Sequence, residues 1–298
     1  MTTPRFGRVL TAMVTPFRAD GAIDFDVAIE VATYLVGEGS EGLVVAGSTG
    51  EGSSLSDKEK LELFACVAGA VEVPVLAGST SADTAQSVAL TRQVLDTGVS
   101  GVLATTPNYA RPSQKGIAAH FAAIAESTEL PIMLYDIPSR TGRKIAATTT
   151  IDLVASHPNI VAMKDASGDL VSAAHYKAVL GDDLDLYSGD DAVLLPFMAI
   201  GAVGLVSVAA HWAAREFRQL VESAERGDWV TARALNERLA PSYAFEASEL
   251  YPNPMPTKAA LRYLGIDVGQ CRLPHAESDD TLDADAAKIV AALQASRG

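Results

Sequence analysis

The sequence predicts an α/β fold, a (β/α)8 TIM barrel followed by a small C-terminal helical domain. Three observations lead to this fold class: short apolar runs recur eight times, amphipathic helical stretches separate them, and the strand pattern stops after the eighth run. Eight strand–helix units in roughly 220 residues match the length of a closed barrel. A doubly wound sheet is the alternative, but eight near-equal repeats favour closure.

The eight apolar runs mark the predicted strands in chain order. Their residues do not alternate in polarity, which is typical of strands that are buried on both faces of a parallel sheet. The runs span residues 9–17, 42–50, 73–80, 101–107, 131–138, 159–165, 184–190 and 203–210.

Helical patterns lie between these runs and dominate the end of the chain. Residues 56–71 open with a Ser-Asp pair that suits an N-cap, and residues 84–98 close with a glycine. From Arg215 onward the pattern is helical, apart from a proline-rich interruption at 251–258. We therefore divide the chain into a barrel domain, 1–226, and a C-terminal helical domain, 227–298.

The composition bounds the classes of function. Hydrophobic residues make up 48% of the 298 residues, which is ample for a large core. The formal charge of −14 argues against a nucleic-acid or anionic-membrane surface, although local cations can still bind a small anionic substrate. No run approaches the roughly 18–20 apolar residues of a membrane span, and the N-terminus lacks a signal peptide's apolar segment. We therefore predict a cytoplasmic protein.

Cysteines and histidines give no sign of a disulfide framework or a metal site. The chain has two cysteines, Cys66 and Cys271, and its five histidines are scattered without the paired spacing of metal ligands. We predict no metal and no cofactor.

Polar side chains gather where the predicted strands end, which is the catalytic face of a barrel. Hydroxyl groups follow the second, fourth and seventh strands, and an arginine follows the fifth. A tyrosine and a lysine end the fifth and sixth strands themselves. These segments and residues are 47–51, 105–109, Tyr135, Arg140, Lys164 and 188–191.

Lys164 is the most unusual of these residues, because a charged side chain ends an apolar strand that is predicted to be buried. A buried ammonium group is costly unless the lysine snorkels to water, pairs with an acid such as Asp165, or works uncharged as a nucleophile. At the end of a central strand the lysine faces the barrel lumen, where snorkelling is difficult. We therefore favour the nucleophile.

The other candidates each have a structural alternative. Residues 47–52, GSTGEG, lack the lysine of a phosphate-binding P-loop, so they form either an ordinary turn or a cradle of N–H groups and hydroxyls for a carboxylate. Tyr135 is either a core aromatic residue or a catalytic phenol. Arg140 is either a surface residue or a bidentate partner for a substrate carboxylate. The acidic pair at 190–191 argues against a phosphorylated substrate.

Six motifs occur in order along the chain. Together they resemble the dihydrodipicolinate synthase family, within the wider group of pyruvate Schiff-base lyases and aldolases. The resemblance runs from about Arg8 to Pro274 and implies a TIM barrel with a C-terminal helical domain, assembled as a homotetramer that is a dimer of dimers. The motifs are GSTGE (47–51), TTPNYARPSQKG (105–116), YDIPSRTG (135–142), MKDASGD (163–169), YSGDDA (187–192) and NPMPTK (253–258).

The resemblance implies a mechanism through Lys164. This lysine condenses with pyruvate to an imine, and the resulting enamine attacks the aldehyde of aspartate semialdehyde. Thr49 matches the residue that holds the pyruvate carboxylate. Ser48, Tyr135 and Tyr109 match the proton-relay triad of the family, with Tyr109 contributed across a subunit interface.

The resemblance also implies roles for three further residues. Gly189 and Val206 match positions whose backbone carbonyls flank the imine, and Arg140 matches the residue that holds the carboxylate of the semialdehyde. Two positions depart from the family pattern. Ser48 replaces a threonine and loses the β-branch that restricts the rotamer, and Asn108 stands where a tyrosine usually precedes Tyr109.

The expected function is the condensation of pyruvate with L-aspartate 4-semialdehyde in diaminopimelate and lysine biosynthesis. The first alternative is a related aldolase or lyase acting on N-acetylneuraminate or 2-keto-3-deoxygluconate, since these relatives share GSTGE and the lysine. Arg140 favours the first function, because the sugar-cleaving relatives generally lack it. The second alternative, a catalytically silent pyruvate-binding barrel, is disfavoured because the lysine and the three triad hydroxyls are all present.

The resemblance also predicts that free lysine does not inhibit the activity. Lysine-sensitive relatives bind the amino acid in an interface crevice through a glutamate, an asparagine and a tyrosine. The matching residues here are Gln86, Ala82 and Asn108, and the nearby Asp57 and Lys60 stand where histidines are usual. Lys60 would repel a cationic ligand.

Overall fold

Eight parallel strands form a closed barrel in a computed structural model that describes residues 4–246 and 248–297. Each strand pairs with the next one along the chain, and the eighth pairs with the first, so the predicted TIM barrel is confirmed. Every predicted apolar run contains one strand. The strands are β1 Val9–Ala12, β2 Gly42–Val45, β3 Val75–Ala77, β4 Gly101–Thr105, β5 Ile132–Asp136, β6 Ile160–Asp165, β7 Asp185–Ser188 and β8 Gly204–Ser207.

Helices connect the strands and form the C-terminal region. The bounds are α1 Phe25–Glu38, α2 Asp57–Ala68, α3 Thr84–Val94, α4 Gln114–Ala125, α5 Pro138–Thr141, α6 Ala147–Ser156, α7 Leu170–Leu180, α8 Leu194–Ala199, α9 Ala210–Glu225, α10 Trp229–Phe245, α11 Met255–Tyr263 and α12 Asp280–Ala295. None of these helices, within the residues described, is long and apolar enough to cross a membrane.

The helix ends predicted from the sequence have clear physical causes. Ser56 caps α2: its side chain accepts from the Glu59 amide, and the Glu59 carboxylate accepts from the Ser56 amide, which satisfies two backbone donors reciprocally. After α3 a short 3-10 turn, Leu95–Thr97, extends to Gly98, whose φ of 79° suits a residue without a Cβ.

The barrel lumen is filled by apolar side chains. Side chains on a strand alternate between faces, so the residues next to the lumen-facing ones pack outward against the helices. On β6, Ala162 faces the lumen and Met163 joins the outer core. The lumen is therefore a packed core and not a pore. Its buried members are Phe6, Leu10, Ala12, Val44, Leu76, Leu103, Met133, Tyr135, Ile137, Ala162, Tyr187 and Val206.

The C-terminal helices pack against the last barrel helix and one another. Helix α10 lies along α9, and α11 packs against α12 over a small apolar cluster of Met255, Ala259, Leu282 and Ala286. Gly227, with φ of 76°, lies in the turn between α9 and α10. The division into domains 1–226 and 227–298 stays a proposal.

A buried ion pair joins the C-terminal helices to the loop after β2. Lys258 Nζ on α11 lies 2.7 Å from Glu51 Oε1, and both side chains are buried. Lys258 also donates to the Gln270 carbonyl, and the Arg272 amide donates to Glu51 Oε2. These hydrogen bonds satisfy groups that would be costly to bury alone. The loop that carries Ser48 and Thr49 is therefore tied to the C-terminal region.

Candidate active site

Strands β5 and β6 place Tyr135 and Lys164 side by side at the C-terminal end of the barrel. The two residues are register partners, and Lys164 Nζ lies 4.3 Å from the centroid of the Tyr135 ring. Both strands continue one residue past Tyr135 and Lys164, where we expected them to end, and stop at Asp136 and Asp165. Because faces alternate, these two acids point outward and the tyrosine and lysine point into the lumen.

Lys164 is buried, and among the residues that the structure describes no acid forms an ion pair with it. It is 4% exposed, and burial lowers the pKa of its ammonium group to about 8. Asp191 acts in the opposite direction, and Arg140 adds to the lowering. The alternative that Lys164 pairs with Asp165 is wrong, because Asp165 accepts instead from the Tyr176 hydroxyl at 2.6 Å and the Ser167 amide at 2.8 Å.

Asp191 is the acid whose charge raises the pKa of Lys164, without forming an ion pair with it. It is buried and accepts hydrogen bonds from Ser207 Oγ at 2.7 Å and from the Ala209 amide at 2.8 Å. Burial raises the pKa of its carboxyl group. The sequence placed Asp191 at the mouth, in segment 188–191, and used it to argue against a phosphorylated substrate, but assigned it no contact with Lys164.

The loop after β2 brings two hydroxyl groups to the same mouth. Burial raises the pKa of Tyr135 to about 12, while the nearby Arg140 and a hydrogen bond with Ser48 lower it. Thr49, the next residue, is buried, and its Oγ1 accepts from Asn253 Nδ2 at 2.9 Å. Ser48 therefore contacts Tyr135, and Thr49 contacts the C-terminal region.

Gly189 directly follows β7 and approaches Lys164, and Val206 lies on β8. A Cβ atom on Gly189 would lie 2.9 Å from Lys164 Cγ and 2.9 Å from Ala166 Cβ, so the close approach of these segments requires a glycine. Val206 is buried in the lumen cluster, as the inward-facing residue of β8.

Arg140 stands at the edge of an open cleft of about 630 Å³. It follows Pro138, the first residue of the short helix α5, and its side chain is exposed. Among the residues described, no acid pairs with its guanidinium group. The cleft is also lined by Ser48 and Thr106, so the Arg140 guanidinium shares it with two hydroxyl groups.

Tyr109 does not join the other hydroxyls within this chain. It is 97% exposed and has a left-handed backbone with φ of 62°, which for a tyrosine requires support from its surroundings. Tyr135, in contrast, is almost fully buried. The structure brings Lys164, Tyr135, Ser48 and Thr49 together and leaves Tyr109 projecting from the loop after β4.

The cleft continues toward residues that we associated with lysine sensitivity. Asp57, Lys60, Ala82, Gln86 and Asn108 all line it. Gln86 Nε2 donates to both Asp57 oxygens, at 3.3 and 3.4 Å, and Gln86 Oε1 accepts from Ser81 Oγ at 3.1 Å, so both acceptors are already engaged. Burial lowers the pKa of Lys60, while Asp57 raises it.

No group of three or more His, Cys, Asp and Glu side chains in residues 4–246 and 248–297 is arranged to hold a metal ion. Cys66 and Cys271 are both free thiols.

Comparison with known proteins identifies the family. The model of the Dihydrodipicolinate synthetase family matches residues 5–293. The chain belongs to this family. The resemblance that the six motifs carry is thereby confirmed, and it extends beyond the range that the motifs span.

Relatives in the family cover nearly the whole chain. The 4-hydroxy-tetrahydrodipicolinate synthase of Moorella thermoacetica is 47% identical over 272 residues, which cover 91% of this chain and 92% of the relative. The lysine-bound dihydrodipicolinate synthase from Cyanidioschyzon merolae superposes with a TM-score of 0.94 at 39% identity, covering 98% of this chain and 99% of that one. A monomeric dihydrodipicolinate synthase variant superposes with a TM-score of 0.92 at 27% identity and covers 97% of each chain.

Sequence reasoning missed the contacts that the C-terminal region makes with the site. Asn253 and Lys258 belong to the motif NPMPTK, which was quoted for the resemblance without a role. Their partners, Thr49 and Glu51, lie about two hundred residues earlier. The only local signal was a polar asparagine and lysine within an otherwise apolar, proline-rich segment.

Proposed function

We propose that this protein condenses pyruvate with L-aspartate 4-semialdehyde through an imine on Lys164, as a 4-hydroxy-tetrahydrodipicolinate synthase of diaminopimelate and lysine biosynthesis. The observation that carries the proposal is Lys164 itself, a buried lysine at the mouth of a TIM barrel that forms no ion pair with an acid in the described part of the chain and whose pKa burial lowers to about 8. A lysine with a lowered pKa is a nucleophile at neutral pH.

The neutral amine starts the reaction. Lys164 Nζ attacks C2 of pyruvate, and loss of water leaves an imine. The imine withdraws electrons from C2, so the methyl group loses a proton and becomes an enamine. The enamine carbon forms a bond with the aldehyde carbon of the semialdehyde, and the amino group of the product then displaces Lys164 as the ring closes.

The hydroxyl groups around the lysine are assigned to proton transfer. Tyr135 and Ser48 lie on one side of Lys164, and Tyr135 keeps its proton at neutral pH because its pKa is about 12. We assign Tyr109 as the third member, supplied by a partner subunit. Its exposure in the single chain supports this assignment, since an exposed tyrosine is available to an interface. The homotetramer expected from the sequence stays part of this proposal, as does the cytoplasmic location.

Substrate carboxylates are assigned to two different groups. Thr49 holds the pyruvate carboxylate, and the backbone carbonyls of Gly189 and Val206 flank the imine. Arg140 holds the carboxylate of the semialdehyde. Its guanidinium, unpaired among the described residues, suits a bidentate contact with a carboxylate in the cleft.

A substrate panel tests the proposal against its alternatives. Pyruvate with aspartate semialdehyde is compared with cleavage of N-acetylneuraminate and of 2-keto-3-deoxygluconate. We expect turnover with the first pair only, because Arg140 provides a cation for the second carboxylate. Turnover of a sugar acid without condensation would favour the related aldolase. No turnover, together with pyruvate binding, would favour the silent barrel.

The pKa of Lys164 predicts a pH dependence of imine formation. Only the neutral amine attacks, so below a pKa of about 8 the rate should rise about tenfold per pH unit and then level off. The measurement is the rate at which pyruvate becomes trapped by borohydride, with all samples quenched at one pH and analysed by mass spectrometry. A rate that keeps rising about tenfold per pH unit beyond about pH 9, as for an ordinary lysine, would contradict a lowered pKa.

Free lysine is expected not to inhibit the protein appreciably. A ligand with two ammonium groups loses much of its hydration on entering a crevice and needs acceptors in return. Here Ala82 offers none, Gln86 carries no charge and already donates to Asp57, and Lys60 adds a positive charge. Activity is measured at saturating pyruvate while lysine is titrated. Clear partial inhibition with a lysine-dependent rise in melting temperature would contradict the prediction.

A further inference from the structure

We propose that Asn253 is a positioning residue that orients the Thr49 hydroxyl toward the substrate carboxylate, an inference that rests on the proposed function. Asn253 lies in the segment just before α11, outside the barrel, and is only 7% exposed. Its Nδ2 donates to Thr49 Oγ1 at 2.9 Å. The C-terminal region thus contacts one of the two hydroxyl groups at the catalytic mouth.

The direction of this hydrogen bond determines what Thr49 can do. A threonine hydroxyl has a single hydrogen to donate and lone pairs to accept. When Asn253 donates to the oxygen, the hydroxyl hydrogen remains available for another acceptor. No hydrogen bond that the described residues form uses that hydrogen. A carboxylate held at the mouth can then accept it, in a charge-assisted bond that is stronger than a neutral one.

A second contact holds Asn253 in place. Lys258, five residues later, forms the buried ion pair with Glu51, two residues after Thr49. The loop after β2 and the segment at the start of α11 are therefore joined twice: the ion pair links Glu51 to Lys258, and the Asn253 amide links to Thr49. Lys258 also donates to the Gln270 carbonyl, which ties α11 to the following loop. Asn253 cannot move away from Thr49 without disturbing the buried ion pair of Lys258 and Glu51.

The other end of the Asn253 amide makes no hydrogen bond with the described residues, so the contact with Thr49 is the one that defines what the amide does. Its Oδ1 is buried and has no hydrogen-bond partner in the part of the chain that the structure describes. The amide thus contributes a donor at Thr49 and nothing more within the described residues. With the amide reversed, Oδ1 would face Thr49, take the hydroxyl hydrogen, and leave none for the substrate.

The test compares two variants of Asn253 in two backgrounds. Asn253→Leu removes the donor without adding charge, and Asn253→Asp replaces the donor with an acceptor of the same shape. We expect each to raise the pyruvate concentration for half-maximal borohydride trapping by about tenfold or more, while kcat at saturating pyruvate changes less than about twofold. In a Thr49→Val background, Asn253→Leu should add less than about twofold, because the hydroxyl that it orients is gone.

Asn159→Asp is the matched control. Its amide donates to the carbonyls of Ala125 and Thr128 before β6, at the opposite end of the barrel. This variant should lower the melting temperature without changing the half-saturation for pyruvate. If Asn253→Leu does not fold, the isosteric Asn253→Asp is compared with the unaltered protein alone.

Two results would overturn the proposal. One is a folded Asn253→Asp protein with unchanged half-saturation, as expected if Thr49 donates to the amide. The other is an equal effect of Asn253→Leu with and without Thr49. Failure of the proposed function is a separate result, since then the unaltered protein would trap no pyruvate at all.

Discussion

Lys164→Ala is expected to abolish the condensation, lowering kcat by at least about 10³-fold, because the variant lacks the amine on which the proposed imine forms. Lys164 is the inward-facing residue of β6 next to Tyr135, and its pKa of about 8 leaves part of it neutral at pH 7. Borohydride added with pyruvate should trap a covalent adduct on the unaltered protein and none on the variant.

Lys60→Ala is the matched control for this experiment. Lys60 is also buried, and burial also lowers its pKa, but it lies on α2 and lines the open cleft at Arg140. The adduct should therefore persist in Lys60→Ala and map to the peptide that contains Lys164. An adduct on another lysine would contradict the assignment. The absence of any adduct in the unaltered protein would favour a silent barrel.

Arg140→Ala is expected to impair use of the semialdehyde far more than imine formation. Losing a charge-assisted bidentate contact should cost about 2–4 kcal/mol in the transition state, or roughly 30- to 1000-fold in kcat/KM for the semialdehyde. Because Arg140 also contributes to lowering the pKa of Lys164, a small shift of the pH profile toward higher pH should accompany the loss.

The control for Arg140 is its neighbour Arg143. Arg143 Nη2 donates to the Arg111 carbonyl, so this guanidinium is engaged with the backbone and not free for substrate. Arg143→Ala should leave kcat/KM for the semialdehyde within about threefold. Half-saturation by pyruvate should stay within the same range for both variants. Intact semialdehyde kinetics in Arg140→Ala would contradict its assignment.

The sequence placed the strands well because their signals are local. Each of the eight apolar runs contains a strand, and Ser56 caps α2 as expected. The ends of the strands were harder to predict. We ended the fifth and sixth strands at Tyr135 and Lys164, whereas β5 and β6 continue to Asp136 and Asp165, since acids, although rare in buried strands, can occur there. Their carboxylates are accommodated because they point outward to partners on the helices, such as Tyr176.

The site was predictable as far as residue type and position along the chain could indicate it. Lysine, tyrosine, serine and arginine at strand ends must share one mouth once the sheet closes, so Lys164, Tyr135, Ser48 and Arg140 could be grouped in advance. The sequence could not decide between a nucleophile and an ion pair for Lys164. That choice depends on whether Asp165 still belongs to the strand, because adjacent residues of a strand point to opposite faces, and β6 does include Asp165.

The sequence by itself determined the barrel, the order of its strands and the residue types at its mouth, because hydrophobic periodicity and helix caps act over a few residues. Only the tertiary structure decided the contacts of Asn253 with Thr49 and of Lys258 with Glu51. These pairs lie about two hundred residues apart, and no local pattern encodes which distant loops meet. Closure of the barrel and packing of the C-terminal helices bring them together, and burial then sets the pKa of Lys164.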